Sequence, residues 1–518
     1  MIGRFAAAAA AGAVILSGIG FTAPVLAQAD LLKVGVATLP PSRGNPSSHA
    51  GAITNYTYAA IFDALTKVSA TGDTIPDLAE SWRNIDTNTW RFTLRPNVKF
   101  QNGEALTAQA FVQMAEFYLT DEGKATVNGR DLSRAFTSAR AIDDLTIEFK
   151  TATPNPAFAT NILRMHVVAP KAWKDLGIEG FANNPVGTGP FKVEAWRPEA
   201  VRMVAFDGSW RAPKMKAVEV LALPEITARV QALISGQIDV APAVTVDSVK
   251  AIEAAGHKAE AIPGPYVLAW AMLSSYRDFP FKDKRVRQAA NHAINRQAIV
   301  DGLLLGKGRP ASQAASPLTF GYNPDVKPYT YDPERAKKLL GEAGYPNGFE
   351  MDSIVLPGNF PADADIYQAA AQDLGKVGIK TNLKPLTFAE YLKVLFNPVP
   401  KEEFGKGWGD KVMTFQQDFS VDLIPDAINR WQATWSCRRA GVAFYCNEDE
   451  LKVMDAANAE FDPEKRRKIL QQGMKMVNEN APALFLVEII DVWARSNKVQ
   501  NAKLTFRVLN YHEITKTN

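Results

Sequence analysis

The chain has 518 residues and a net charge of +3, too long for one ordinary hydrophobic core, so two or three structural units are expected. It is 47% hydrophobic and 22% charged, the make-up of globular domains, which excludes wholesale disorder. Lys and Arg are scattered, and the short group Arg466, Arg467 and Lys468 suits a solvated helix face; without a basic stripe there is no case for a nucleic-acid partner.

Residues 1–29 stand apart from the fold. Arg4 is a positive n-region, 6–19 form an apolar h-region, and Ala27-Gln28-Ala29 is a small-residue cleavage site. This is the pattern of a secretory signal peptide cut near Ala29, with Ala27 as the alternative. A transmembrane anchor fits less well, because the run is short and broken by glycines. No Cys follows the h-region, so no lipid attachment at a new N-terminal cysteine is expected, and the mature chain is expected to be soluble and exported. Cys437 and Cys446 are the two cysteines. In an oxidising compartment they are expected to close a short disulfide loop, because their spacing fits neither C-x-x-C nor a zinc pattern.

The mature chain opens on a strand over 31–37. A loop rich in Pro, Ser and Gly follows, then an amphipathic helix over 53–65. His49, alone in that loop, reads as surface decoration. Gly72-Asp73 marks a turn and 76–79 a short helical turn. Residues 89–94 and 142–150 alternate as half-buried strands, with a helix from Thr107 to about 119 between them. Residues 184–196 place two glycines and two prolines before an alternating stretch, a shaped turn feeding a strand. Strands at 201–206, 217–223 and 238–241, with a helix over 225–235, suggest a parallel crossover.

A long apolar strand is expected over 266–273 and one strong helix over 283–305, ended by Gly306; His292 on it reads as structural. Asp332-Pro333-Glu334 and Asp462-Pro463-Glu464 are helix starts with an N-cap acid and Pro at N1. Strands at 351–355 and 379–385 alternate with helices at 364–377 and 388–396. Residues 483–493 read as a final pair of apolar strands.

No G-x-S-x-G, H-E-x-x-H or Walker-type loop is present. The glycines Gly187 and Gly189 open a strand and not a helix, so the helix-dipole case for phosphate fails. The five histidines are scattered, which gives no metal cluster in sequence. One polar, acidic stretch stands out at 406–426. A short strand at 413–415 delivers it, and the carboxyl ends of strands are where α/β sheets hold ligands. The plain alternative is a solvated, turn-rich loop.

Several blocks occur together and in order: Gly72-Asp73 with Pro76-Asp77-Leu78-Ala79-Glu80-Ser81-Trp82; Trp90 to Arg95 with Val98-Lys99-Phe100; Asn184-Pro185-Val186-Gly187-Thr188-Gly189-Pro190-Phe191; Gly236 to Asp239; Val286-Arg287-Gln288-Ala289; and Tyr331-Asp332-Pro333 with Gly344-Tyr345-Pro346. Together they resemble the extracytoplasmic solute-binding proteins of family 5, the oligopeptide- and dipeptide-type receptors of ABC importers.

The resemblance implies a two-lobed α/β periplasmic-binding-protein fold with an additional α+β domain inserted in lobe one. Lobe one would comprise 30–65, 183–268 and 490–518, the insert 66–182, and lobe two 269–489. It implies a monomeric periplasmic receptor that needs no cofactor, captures a short peptide or related amino-bearing solute, and delivers it to a membrane permease. In peptide-binding relatives an Asp in a motif resembling W-x-A-D-Y holds the ligand ammonium. Here Phe415-Gln416-Gln417-Asp418-Phe419 stands at that place, so Asp418 takes the role, with Asp410 and Asp422 as rivals. Gly51 and Ala52 would offer backbone groups, and Ser274 and Arg277 stand where many relatives carry an Asn. Opines, oligosaccharides, glutathione and nickel complexes are the family's other ligands. A secreted two-carboxylate glycosidase and a chaperone-like protein with no fixed solute are the readings from other classes.

Overall fold

The computed structural model describes residues 30–48, 54–275, 278–357, 360, 362–387, 390, 411–418, 425–435 and 444–517. The signal-peptide reading, Gly51, Ala52, Arg277, Asp410, Phe419, Asp422, Cys437 and nearly all of the 388–396 helix lie outside them.

Among the described residues one sheet of eleven strands runs through both lobes. In the first lobe Leu31–Val36 is flanked on both sides by parallel partners, Ala217–Ala222 and Val240–Ala241. The helix Ile226–Ile234 connects those partners across it, the expected crossover. Ala200–Ala205 and Phe191–Trp196 extend this half as an antiparallel hairpin. In the second lobe Phe349–Val355 lies parallel to both Ile379–Pro385 and Val412–Asp418, with the helix Asp363–Gly375 between the first two in sequence.

Two long strands join the halves. Lys258–Met272 and Ala483–Arg495 pair antiparallel through both lobes. Residues 483–493, expected as a pair of strands, are therefore part of one strand. Twelve of its thirteen residues are buried, so the chain shows neither the period-2 alternation nor the turn signal that marks a half-buried hairpin. Residues 76–79 also differ from expectation, because Thr74–Pro76 and Ala79–Asp86 are strands with no helical turn between them. The helix expected over 283–305 is two, Lys284–Ala293 and Arg296–Leu303. Ile294 turns extended, and the Asn295 side chain caps the second helix by accepting from the Ala298 amide at 3.1 Å. Both Asp-Pro starts are N-caps: Asp332 accepts from the Arg335 amide and Asp462 from the Lys465 amide, each at 2.9 Å.

The inserted residues form a four-stranded antiparallel sheet, Ala79–Asp86, Thr89–Leu94, Thr146–Lys150 and Ser138–Asp143, with a small hairpin of Thr66–Val68 and Thr74–Pro76 beside it. Their hydrophobic core is continuous with one face of the first lobe: Phe92, Phe111 and Phe149 belong to the same buried cluster as Leu32, Val34 and Val218. The second lobe has its own core, around Trp270, Trp431 and Leu484.

Residues 184–196 explain how the insert is fastened. A methyl group at Gly187 would overlap the Ile61 carbonyl, and one at Gly189 would lie 2.6 Å from the Ala60 oxygen, so the chain can pass the end of the helix Asn55–Ile61 only as glycine. From the insert, Gln101 accepts from the Gly187 amide at 3.1 Å and donates to the carbonyls of Ile61 at 3.1 Å and Phe191 at 2.7 Å. Buried Asp63 accepts from the Thr188 hydroxyl at 2.8 Å and the Trp210 indole at 3.0 Å, and pairs with Arg211. Gly187→Ala should cost about 1–3 kcal/mol in urea denaturation, because that methyl has no free space. Gly302→Ala, inside a helix with open space around it, should be neutral or stabilising by up to about 1 kcal/mol.

Candidate functional site

The two long strands do not pair evenly. Their register runs from Lys258↔Arg495 to Pro263↔Ile490, shifts, and resumes at Val267↔Glu488. The sequence of this break is Pro263-Gly264-Pro265. Proline has no amide to donate, so the ladder is interrupted here by composition. A Cβ on Gly264 would sit 2.6 Å from the Ile489 carbonyl oxygen, so the close approach requires glycine. The break is where the sheet passes from one lobe to the other.

Side chains from both lobes converge on it. The Tyr266 ring lies 5.1 Å from that of Phe360 in the second lobe, and the Arg507 guanidinium lies 4.9 Å over its face. Arg507 donates two hydrogen bonds to Asp491 Oδ1, from Nη2 at 2.8 Å and Nε at 3.1 Å. Phe506 and Arg507 both have positive φ, 48° and 60°, and form the tight turn between Leu504–Thr505 and Val508–Leu509. Two non-glycine residues in the left-handed region are a local cost, and the Asp491 pair and the Tyr266 ring hold the turn there. Tyr56, at the start of the helix Asn55–Ile61, is buried beside these charges, and burial raises its hydroxyl pKa. Across the strand, Glu488 pairs with Arg309 at 2.9 Å, while burial pushes its carboxyl above the usual range.

The strand Val412–Asp418 brings the predicted ligand stretch to this place. It lies between Phe349–Val355 and the crossing strand, with Asp418 opposite Leu268 and Thr414 opposite Met272. Its carboxyl end therefore reaches the break. Phe415 is fully buried in the second-lobe core, its ring 5.6 Å from Phe444. Gln416 accepts from the Leu356 amide at 2.5 Å, and Gln417 is buried. Ser274 is at the other end of the pairing. Leu273 bonds to the Met413 carbonyl at 2.9 Å, and Ser274 donates to Phe444 from both its amide and its hydroxyl. At about 3.3 Å per residue, that places Ser274 roughly 20 Å along the strand from Asp418. The structure thus groups Ser274 with Phe415 and Phe444, and not with the carboxyl end of the strand.

Tyr266, Phe360, Asp491 and Arg507 were not singled out from sequence. The signal that could have found them is Pro263-Gly264-Pro265 within one strand.

The insert also touches the second lobe directly. The turn of its small hairpin is pressed against Leu318, where a methyl on Gly72 would overlap the Leu318 carbonyl. Asp73 pairs with Arg467 at 3.3 Å, and the Arg467 guanidinium lies 4.3 Å over Phe320. Trp90 meets Phe461 with ring centroids 6.1 Å apart. Beside these contacts is an open gap of about 460 Å³ lined by Asn155 and Asn161 of the insert and Asn429, Gln432 and Asn458 of the second lobe. Among the described residues no group of three or more His, Cys, Asp or Glu is placed to hold a metal, and no helix is long and apolar enough to cross a membrane.

A bulky residue at Gly72 has to push the lobes apart, whereas loss of one exposed ion pair is worth only about 0–1 kcal/mol. Gly72→Val should therefore raise the radius of gyration in small-angle X-ray scattering, and Arg467→Ala should leave it nearly unchanged. Equal radii for Gly72→Val and the unmodified protein would show that this contact does not constrain the lobes.

The profile described as "Bacterial extracellular solute-binding proteins, family 5 Middle" matches residues 73–420. The glutathione-binding protein GsiB of Pectobacterium atrosepticum is 27% identical over 433 residues, covering 82% of each chain. The dipeptide-binding protein of Escherichia coli is 26% identical over 446 residues, covering 80% of this chain and 81% of that one. Among solved structures, HbpA2 from Haemophilus parasuis superposes with a TM-score of 0.82 at 22% identity, covering 94% of this chain and all of that one. The periplasmic binding protein DppA from Helicobacter pylori, in complex with the peptide STSA, gives 0.73 at 22% identity, with 94% and 98% covered. Both share the two-lobed periplasmic-binding-protein fold. The break between the lobes, the insert fastened at residues 184–196 and the matched profile agree: this chain belongs to family 5 of the bacterial extracellular solute-binding proteins.

Proposed function

We propose that the protein captures a short peptide or a related amino-bearing solute between its lobes and delivers it to an ABC permease in the membrane. The observation that carries this is the strand Val412–Asp418, which ends at the break between the lobes with Asp418 opposite Leu268. A carboxylate at that position suits a ligand ammonium, because a charge-assisted bond made away from bulk water is stronger than one at a surface. Relatives named for glutathione and dipeptides support the ligand class, as do neighbours solved with the peptide STSA and with Met-Leu. Binding and release are the whole cycle in this reading, and catalysis has no part.

The remaining features follow from the same reading. Lobe one comprises 30–65, 183–268 and 490–518, the insert 66–182 and lobe two 269–489. The protein is exported by the signal at 1–29, carries no lipid and works in the periplasm as a monomer. Gly51 and Ala52 offer backbone groups to the ligand in this reading.

Isothermal titration calorimetry with Ala-Ala, Ala-Phe and glutathione tests the assignment. Asp418→Ala should weaken the ligand that binds by at least about tenfold, the usual scale for losing one partner of a buried charge pair. Unchanged affinity would remove Asp418 from the site.

Cys437 and Cys446 are paired in this reading, which fits the absence of any free cysteine among the described residues. Thiol titration of the denatured, unreduced protein should then find none, and two after reduction; two thiols before reduction would exclude the pair.

A further inference from the structure

A cavity of about 400 Å³ lies beneath the small hairpin of the insert. It is walled entirely by the first lobe and the insert, and its apolar lining includes Ala59, Phe62, Leu163, Phe506, Val508 and Leu509. Every charged group around it already has a partner. Asp63 is paired with Arg211, Lys67 with Asp77 at 3.4 Å, Lys503 with Glu513 at 3.9 Å, and Arg164 with Asp131 at 3.3 Å. Burial holds His166 and His512 down at about 4, so both imidazoles are neutral at neutral pH. A charged group entering here would compete for counter-ions that are already engaged. An apolar group would lose water at no such cost.

The cavity adjoins the interlobe site. Phe506 is one of its walls, and the next residue, Arg507, is bonded to Asp491 and covers Tyr266 at the break. Its roof also belongs to the closure geometry, since Val68 and Ile75 line it and the turn between their strands is the one pressed against Leu318 and Arg467. We propose that this cavity is a second compartment of the binding site and takes an uncharged apolar group of the captured ligand, an aromatic or branched aliphatic side chain of a short peptide. The inference rests on the peptide reading for the identity of the ligand, but not for the existence of the compartment.

The test uses two probes on the whole protein. Calorimetry compares Ala-Ala with Ala-Phe and Phe-Ala, and saturation-transfer NMR follows indole, a neutral aromatic that needs no peptide backbone. One phenylalanine-containing dipeptide should bind about tenfold or more tighter than Ala-Ala, the worth of one buried aromatic side chain. Val508→Trp fills the mouth from a position that is 40% exposed, so it should leave the melting temperature unchanged. It should bring the preference to about unity and abolish the indole signal. Ala59→Phe, filling from the helix side, should do the same and serves if Val508→Trp does not fold. Indole binding that is lost in the filled variants, with no dipeptide bound, would support the compartment and overturn the peptide reading. Dipeptide binding with no aromatic preference, and no indole signal, would overturn the compartment and leave the peptide reading standing.

Discussion

The structure depends on two strands that neither lobe owns. Lys258–Met272 and Ala483–Arg495 are hydrogen-bonded to each other on both sides of a break, so the two halves of the sheet are tied by a continuous backbone pair and not by a flexible tether. A continuous antiparallel ladder resists bending, because each bond holds the next in register. Pro263-Gly264-Pro265 removes two donors at one place and allows the carbonyl of Ile489 to approach within 2.6 Å of the position a Cβ would take. One register shift follows Pro263 and a second lies between Leu268 and Ala269. The side chains that sit there, Tyr266, Phe360, Asp491 and Arg507, are positioned to register any change in the angle between the lobes.

The insert is joined to the first lobe through a shared core. Phe92 and Phe149 are packed in the same cluster as Val34 and Val218, and prising them apart would expose a large apolar area. Its contact with the second lobe has a different character: one half-exposed ion pair, one aromatic contact and an amide-lined gap. Such contacts each contribute little stability. A ligand that binds both lobes then needs only a modest difference in affinity between their arrangements to shift the population.

What the sequence made legible follows the range of the physics involved. Some local signals read correctly: the two Asp-Pro helix caps depend on four consecutive residues. The helical turn expected at 76–79 did not form, and Gly187 and Gly189 are required by close approach to the end of a helix. The family blocks pointed to the two-lobed fold that the solved neighbours share. Burial on both faces erased the alternation in 483–493, so one strand passed as two. Asn295 capping a new helix was hidden inside an apolar pattern that continues across the break. The cavity could not be read at all, because its walls, Lys67 and His512 among them, come from segments far apart in the chain.

Two tasks are divided between the lobes in the proposed site. The carboxyl end of Val412–Asp418 belongs to the second lobe and brings an acid to the break. The apolar compartment belongs to the first lobe and the insert, and its charges are paired internally. A ligand with a cationic end and an apolar body would therefore divide its contacts between lobes, charge to one and side chain to the other. Neither half alone offers the full interaction. That division would give the free energy of binding a mechanical use, since such a ligand would gain both contacts only with the lobes together, and the hairpin that roofs the compartment is the element in contact with the second lobe.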